Sequence, residues 1–379
     1  MEALFAFLGD YTIQNVLIGA ALLGLSSGAL GAFAVLRQQS LLGDALSHAT
    51  LPGVALGFMA AGTRHLGSIM LGALLTGAAA ALLVVLLTQR SRLKTDAALG
   101  IALSTFFALG VVLLTRIQQS GNASQGGLDS FLFGQAAAIL RSDLWVMAAL
   151  ALAALGLLTV LWKEFKLATF DPTFARSLGL PVMLLETALT VMIALAIVIG
   201  LQMVGVVLMA AMVVAPAAAA RQWSTRLEGM VLLSAAIGAT GGVAGAVLSA
   251  TGRNLATGPL IVLTITAIVL FSLLAAPERG LLWAAVQRRR AGAMLHDRRV
   301  LATLLRLSDE HADRAYGAEQ GMLKVLHGLG TVASLHGLER RGQVRRVEHM
   351  PEEGIHWALT ESGREAAEQT LAELEAGES

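Results

Sequence analysis

Long stretches without a single charged residue restrict the folds open to this chain more than any other property of its sequence. A helix needs about 20 consecutive apolar residues to cross the core of a bilayer. The charge-free stretches lie at 11–36, 66–89, 97–115, 144–162, 187–220, 230–252 and 254–277, and only His48 interrupts another at 45–63. The stretch ending at residue 220, extended back to Pro181, is long enough for two helices. The sequence therefore predicts an all-α polytopic membrane protein with nine transmembrane helices, or eight if one is re-entrant or two are fused.

The composition agrees with a chain that lies mostly in lipid. Only 14% of the 379 residues are charged, whereas an ordinary soluble domain contains about 25% charged residues. The mean hydropathy is +0.70, so much of the surface cannot face water. The chain contains no Cys, which excludes disulfide bonds and thiolate metal ligands.

The distribution of Lys and Arg predicts how the spans are oriented. Alternate loops differ in their basic residues, with nine in one set and four in the other. The richer set contains Arg37, Arg90, Arg92, Lys94, Lys163, Lys166, Arg176, Arg221 and Arg226, and the poorer set contains Arg64, Arg116, Arg141 and Arg253. Because cytoplasmic loops of membrane proteins are enriched in Lys and Arg, the richer set is predicted to be cytoplasmic. The N-terminus is then expected outside and the C-terminal segment inside.

Residues 285–379 differ in character from the rest of the chain. They contain 13 Lys or Arg, 15 Asp or Glu and six of the eight histidines. The sequence therefore predicts a transmembrane domain at 1–284 and a soluble cytoplasmic domain at 285–379. The sequence pattern of the second domain predicts three helices, then a strand–turn–strand segment and a final charged helix. These patterns lie at 298–307, 321–327, 332–341, 343–359 and from Glu361 onward. Their order resembles a winged helix, so a small α+β domain is expected.

The segment LLGDALSHATLPGVALG, at 41–57, contains two ionisable residues in apolar surroundings. Asp44 and His48 are four residues apart and therefore share one face of a helix. An ionisable residue inside a membrane costs roughly 2.5–3.5 kcal/mol to insert and usually faces a cavity or a partner. A carboxylate and an imidazole together suit Mn, Fe or Zn. The residues alone leave a second interpretation open, in which Asp44 caps the helix and His48 binds a neighbouring backbone group.

A short polar interruption, FDPTFARSLGL at 170–180, lies in a loop predicted to be cytoplasmic. Asp171 can cap a short helix whose first position holds Pro172, where no N–H is needed. Gly179 can end that helix. The pattern alone fits either a stiff loop or a docking element. Glu186 is expected in the first turn of the span that follows, where a carboxylate complements the helix dipole.

Five sequence blocks resemble the permease subunits of the zinc/manganese/iron family of ABC importers, and they follow the family's order. They are LLGDALSHATLPGVALGF at 41–58, LKTDAALGIALSTFFALGVVLL at 93–114, GLDSFLFGQ at 127–135, VGVVLMAAMVVAPAAAA at 204–220 and TGPLIVL at 257–263. The resemblance implies that Asp44 and His48 contact a transported Mn, Zn or Fe ion, and that no cofactor is permanently bound.

The same resemblance implies a set of partners and a location. It implies that 170–180 is the coupling helix that contacts an ATPase subunit, through Phe170, Asp171, Ala175 and Gly179. It also implies an extracytoplasmic metal-binding protein, a permease homodimer or heterodimer, and the plasma (inner) membrane of a bacterium. No GxxxxGK[ST] phosphate loop occurs in the chain. ATP hydrolysis is therefore expected on separate ATPase subunits, and this chain is expected to be a transport subunit and not an enzyme.

Two other functions fit parts of the sequence. A secondary metal transporter driven by an ion gradient would use the bundle alone and give 170–180 no particular role. A membrane-tethered regulator would act through the second domain, whose pattern resembles the winged helices of metal-responsive repressors. DNA binding requires a positively charged surface, and 13 basic against 15 acidic residues at 285–379 provide none. The permease interpretation is therefore preferred.

Overall fold

The computed structural model divides into two compact units, Met1–Gly280 and Leu281–Ser379. It describes residues 10–62, 66–119, 134, 136–201, 203–251, 255–277, 280–347 and 354–377. The predicted boundary between residues 284 and 285 lies inside the first helix of the second unit. Of the sequence block at 127–135, all but Gly134 lies outside the described residues.

The first unit is built of helices. They are α1 (Tyr11–Leu36), α2 (Leu42–Ala49), α3 (Leu51–Ala61), α4 (Leu66–Arg90), α5 (Thr95–Gln119), α6 (Arg141–Val160), α7 (Trp162–Phe170), α8 (Pro172–Ser177), α9 (Val182–Leu201), α10 (Val206–Trp223), α11 (Leu227–Thr251) and α12 (Thr257–Ala275). Among the described residues, seven helices are long and apolar enough to cross a membrane, namely α1, α4, α5, α6, α9, α11 and α12. A helix satisfies its own backbone hydrogen bonds in lipid. The prediction of a polytopic helical membrane protein is confirmed.

Helices of the first unit approach each other at glycines. A Cβ on Gly24 of α1 would overlap the Gly238 carbonyl of α11, and a Cβ on Gly28 would overlap the Ser234 carbonyl. The Ser234 hydroxyl donates a 2.6 Å hydrogen bond to the Gly28 carbonyl oxygen. α3 approaches α4 in the same way at Gly53. Small residues permit such backbone contact within membranes, so these helix pairs are held at close range.

α2 and α3 lie in the interior of this bundle. α2 packs against α4, α5, α9 and α10, and α3 packs against α4 and α5. Leu42 and Leu46 of α2 and Leu51 of α3 are buried at these contacts. Van der Waals packing of this kind is the main source of helix association in lipid. The segment that contains Asp44 and His48 is therefore held by neighbours on several sides.

The second unit is mostly helical and contains a small sheet. Its elements are α13 (Leu281–Glu310), β1 (Ala318–Glu319), α14 (Gln320–His327), α15 (Thr331–Arg340), β2 (Val344–Val347), β3 (His356–Leu359) and α16 (Glu361–Gly377). The strands are antiparallel in the order β1–β3–β2, with Ala318 opposite Trp357 and Val344 opposite Leu359. Leu323 and Trp357 are fully buried in its core. β1 is a strand that the sequence pattern did not indicate.

Candidate functional site

The segment that contains Asp44 and His48 folds as two short helices instead of one long span. α2 and α3 meet at Thr50, which caps both. Pro52 lies in the first turn of α3. Because proline has no N–H, it cannot donate the helical hydrogen bond to the His48 carbonyl. The Thr50 hydroxyl donates a separate hydrogen bond to the Ser47 carbonyl at 2.6 Å. The local sequence therefore accounts for a helix break within one turn of His48.

Asp44 and His48 face each other across one turn of α2, as their spacing predicts. His48 Nε2 lies 3.4 Å from Asp44 Oδ1, and the two side chains are 21% and 39% exposed, respectively. The imidazole stands edge-on to Phe107 of α5, with ring centroids 4.9 Å apart. The other ring nitrogen, Nδ1, is buried, and no described residue is its hydrogen-bond partner. The imidazole is thus held between a carboxylate and an aromatic ring, with one nitrogen unpaired.

This geometry favours a ligand pair over a helix cap. α2 begins after Leu41, whose side chain has no polar atom, and Asp44 in the first turn faces His48. Carboxylate oxygen and imidazole nitrogen are suitable donors to a divalent transition metal. Within the described part of the chain, no three or more His, Asp or Glu side chains come together as a metal site. Asp44 and His48 are therefore a pair of candidate donors that no third His, Asp or Glu among the described residues joins.

A second polar cluster joins the ends of three helices. Arg37 directly follows α1, Gln89 lies near the end of α4, and Glu186 lies in the second turn of α9. Arg37 Nη2 is 3.5 Å from Glu186 Oε1, and Gln89 Nε2 donates a 2.6 Å hydrogen bond to Glu186 Oε2. Because α9 begins at Val182, Glu186 is past the first turn, and its predicted role at the helix dipole is wrong. The sequence interpretation missed this cluster.

The Arg37–Glu186 pair is largely withdrawn from solvent. The two side chains are 13% and 20% exposed. Burial lowers the pKa of the Arg37 guanidinium from its ordinary value, and the adjacent Glu186 carboxylate opposes that shift. Removing one partner of a buried ion pair typically costs about 3–5 kcal/mol, because the other charge is left without compensation. The pair therefore makes a firm connection between α1 and α9.

The predicted short helix at 170–180 is present as α8. Asp171 Oδ1 accepts a 2.8 Å hydrogen bond from the Phe174 N–H, so its predicted capping role is confirmed. Gly179 has a φ of +80°, the left-handed conformation that commonly ends helices. The Leu180 N–H then returns to the Ala175 carbonyl at 3.1 Å. α8 is thus a short, capped helix between α7 and α9.

The side chains at α8 divide sharply by exposure. Ala175 is fully buried within the first unit, which corrects the expectation that it lies against a partner surface. Phe170, Phe174 and Leu178 are 60%, 51% and 59% exposed. The sequence interpretation did not single out Phe174 and Leu178, because an apolar residue beside membrane spans has the same signature whether it faces lipid or a partner. These three side chains form the apolar surface of α8.

Comparison with known proteins assigns the chain to a family. Residues 9–276 match the ABC 3 transport family. This match covers almost all of the first unit, including α2, α3 and α8. The chain, with its helical polytopic bundle, therefore belongs to that family.

Named relatives and a solved structure support the assignment. The chain is 42% identical over 369 residues to the manganese transport system membrane protein MntC of Bacillus subtilis, covering 97% of this chain and 84% of MntC. It is 45% identical over 295 residues to the zinc transport system membrane protein TroC of Treponema pallidum, covering 78% of this chain and 99% of TroC. The structure of PsaBC from Streptococcus pneumoniae in complex with Fab matches with 35% identity and a TM-score of 0.64. The match covers 74% of this chain and 98% of the PsaBC chain.

The family settles the broad class of the protein. The chain is a multi-pass membrane protein of the bacterial inner membrane and a transport subunit, not an enzyme, as the sequence predicted. Because the alignment with MntC covers 97% of the chain, it includes most of the second unit. The resemblance drawn from the five sequence blocks is confirmed.

Proposed function

We propose that this chain is the permease subunit of an ATP-driven importer that translocates a divalent transition metal ion, Mn, Zn or Fe, into the cytoplasm. The observation that carries the proposal is the Asp44–His48 pair beside a helix break inside the bundle. The relatives named above are manganese and zinc transport membrane proteins. A carboxylate and an imidazole are suitable ligands for each of these ions.

Asp44 and His48 contact the ion on its way through the bundle. The carboxylate supplies negative charge, and the neutral imidazole supplies a nitrogen donor. Transport requires binding that is favourable enough for entry and weak enough for release. Two protein ligands with partly exposed side chains meet both requirements. The metal is cargo in this mechanism, and no permanently bound cofactor takes part.

Nine segments cross the membrane in this proposal. The seven long helices are joined by the broken α2–α3 segment and by α10, an apolar helix of 18 residues. A re-entrant α2–α3 segment would reduce the number to eight. The loops rich in Lys and Arg put the ends of α1 and α4, together with α8, on the cytoplasmic side. The N-terminus is then outside and the second unit cytoplasmic.

α8 is the coupling helix that contacts a separate ATPase subunit. Its apolar surface of Phe170, Phe174 and Leu178 supports this role, because large exposed apolar side chains outside the spans favour a protein contact. Asp171 and Gly179 shape the two ends of the helix. Ala175 supports α8 from inside the first unit. The complete importer contains a permease homodimer or heterodimer and receives metal from an extracytoplasmic binding protein.

The second unit is a winged-helix-like domain that regulates or stabilises the assembly. The order of α14, α15, the antiparallel pair β2–β3 and α16 supports a winged-helix relationship. Its nearly balanced charge argues against a DNA-binding surface. The second unit therefore acts through contacts with protein.

Metal uptake by reconstituted complexes tests the proposed function. Proteoliposomes containing this chain and its ATPase, with the metal-binding protein added on the extracytoplasmic face, should accumulate one or more of Mn, Zn and Fe only when ATP is supplied on the ATPase side. Each metal is measured alone and in competition, which also identifies the cargo. A catalytically inactive ATPase is the matched control.

The same experiment separates the rival functions. A secondary transporter would accumulate metal without the ATPase when an ion gradient is imposed. Uptake that follows a proton or sodium gradient and ignores ATP would overturn the proposal. Absence of uptake under both conditions, together with sequence-specific DNA binding by the full-length protein, would favour the membrane-tethered regulator.

A further inference from the structure

The cluster of Arg37, Gln89 and Glu186, named here the Arg37 cluster, lies between two parts of the first unit that the proposed function must connect. Both oxygens of the Glu186 carboxylate are engaged, one by Arg37 at 3.5 Å and one by Gln89 at 2.6 Å. A guanidinium beside Glu186 repels a metal cation and cannot itself act as a ligand. The cluster is therefore a structural connection and not part of the metal site.

On one side, Arg37 is connected to the Asp44–His48 segment by a short, tight turn. The N–H groups of Gln38 and Gln39 bond to the carbonyls of Val35 and Ala34 at 3.1 and 2.9 Å. This pattern is a Schellman motif, in which the residue after the cap takes a left-handed conformation. Gln38 has the expected positive φ, +56°. α2 begins at Leu42, so a movement of Arg37 passes to α2 through very few residues.

On the other side, Glu186 is connected to α8. α9 packs directly against α7 and α8, and the Leu180 N–H bonds back to the Ala175 carbonyl at 3.1 Å. Ala175 is fully buried, so α8 is packed against the rest of the first unit and cannot move independently of it. α9 also packs against α1, α2 and α4. A displacement of α8 is thus delivered to the helix that contains Glu186.

We propose that the Arg37 cluster connects α8 mechanically to the Asp44–His48 segment, so that movement of α8 reaches this segment through the cluster. This mechanical connection is called the joint below. This inference rests on the proposed function, in which α8 is moved by the conformational change of the ATPase subunit. A buried ion pair with a second hydrogen bond holds α1, α4 and α9 in one defined arrangement. Arg37 and Glu186 are positioning residues that act through α2.

Glu186→Gln tests the joint because it removes the charge and keeps the shape of the side chain. The reconstituted complex of the full chain with its ATPase is assayed for metal transported per ATP hydrolysed. The variant should hydrolyse ATP at a rate close to that of the wild type and transport at least about fivefold less metal per ATP, the lower end of typical coupling effects. Glu186→Asp, which keeps the charge, should recover part of the lost coupling.

An exposed ion pair provides the matched control. Lys166 and Glu228 join α7 to α11 at 2.6 Å, with side chains 47% and 49% exposed. Lys166→Gln with Glu228→Gln should leave the ratio of transport to hydrolysis unchanged. If Glu186→Gln fails to insert, Gln89→Leu provides the second test, since it removes one hydrogen bond and leaves the ion pair. Gln89→Leu should also lower the ratio.

The possible results distinguish the joint from the proposed function. Normal coupling in a well-folded Glu186→Gln or Gln89→Leu complex overturns the joint and leaves the proposed function standing. A parallel fall in transport and hydrolysis, with an unchanged ratio, indicates a purely structural role and also overturns the joint. A wild-type complex that transports no metal with ATP and the extracytoplasmic binding protein present overturns the proposed function, and the joint with it.

Discussion

The ion pairs of the two units differ in how far their side chains are withdrawn from solvent. In the first unit, Asp44 pairs with His48 and Arg37 pairs with Glu186, at positions where the surroundings are apolar. In the second unit, three ion pairs between described residues each have at least one side chain that is about half or more exposed. These pairs are Arg341–Asp297, Arg346–Glu339 and Arg364–Asp309. Exposed pairs contribute little to stability, whereas intramembrane charges are costly and mark functional positions. The partly buried pairs of the first unit are therefore the candidates for function, whereas its exposed pair Lys166–Glu228 resembles the pairs of the second unit.

The largest effect is expected from Asp44→Ala and His48→Ala. Each change removes one of the two proposed protein ligands, so metal uptake should fall to background. Both side chains are partly exposed, so the protein should remain in the membrane even though His48→Ala removes the ring contact with Phe107. Uptake is measured at matched membrane abundance, with His336→Ala, an exposed histidine of the second unit, as the control. Uptake at the wild-type level in both variants would contradict the assignment of the pair.

The apolar surface of α8 is expected to give the next largest effect. Phe174→Asp places a charge on a half-exposed side chain, so the first unit should stay folded while the ATPase no longer binds productively. Ala175→Leu forces extra volume into a fully buried position, which typically costs about 1–3 kcal/mol. Co-purification with the ATPase and thermal unfolding separate the two outcomes. Normal ATPase binding and transport by Phe174→Asp would exclude this surface as the contact.

Features encoded by local sequence could be predicted. α1 spans Tyr11–Leu36, the same limits as the first charge-free stretch, because nothing within that stretch interrupts an apolar helix. The cap at Asp171 and the turn at Gly179 were also predicted, since each depends on a single residue type. The pairing of Asp44 with His48 followed from helical spacing alone.

Features that depend on which elements meet could not be predicted. Arg37, Gln89 and Glu186 each lie at the end of an apolar stretch, and only the packing of α1, α4 and α9 brings them together. The break at Thr50 was missed because the apolar stretch at 45–63 was taken as one span, although Pro52 in its interior cannot donate a helical hydrogen bond. Burial of Ala175 is likewise a tertiary property, and small size alone suggested the opposite environment.

Deletion of the second unit is expected to have a modest effect on transport. The residues that match the family end at 276, before α13 begins, and the second unit has its own hydrophobic core. A protein lacking residues 281–379 should therefore take up metal at low cytoplasmic metal, with weaker shut-off at high metal. The assay compares uptake rates after preloading the vesicles with graded metal concentrations. A stably inserted truncated protein without any uptake would show that the second unit belongs to the transport machinery.

The smallest expected effect concerns the pH dependence of the second unit. His327 Nε2 lies 2.9 Å from Thr303 Oγ1 of α13, and its ring centroid is 6.0 Å from that of His296. Burial lowers the pKa of His327 from its ordinary value, and the adjacent His296 and Arg299 lower it further. The folded unit therefore disfavours protonated His327 relative to the unfolded chain. Its contribution to stability is complete above the ordinary histidine pKa of about 6.5 and is lost as the pH falls toward the lowered value.

Hydrogen exchange of α14 amides in the full-length protein, corrected for intrinsic rates, checks this prediction between neutral and mildly acidic pH. Protection should decrease as the pH falls below the ordinary histidine pKa, because protonation then favours opening of the helix. His327→Gln retains a polar group that can reach Thr303 and removes the titration, so the decrease should become smaller. His336→Gln, on the exposed face of α15, should leave the pH dependence as it is in the wild type. Identical pH profiles for the wild type and His327→Gln would show that this histidine does not link protonation to the stability of the second unit.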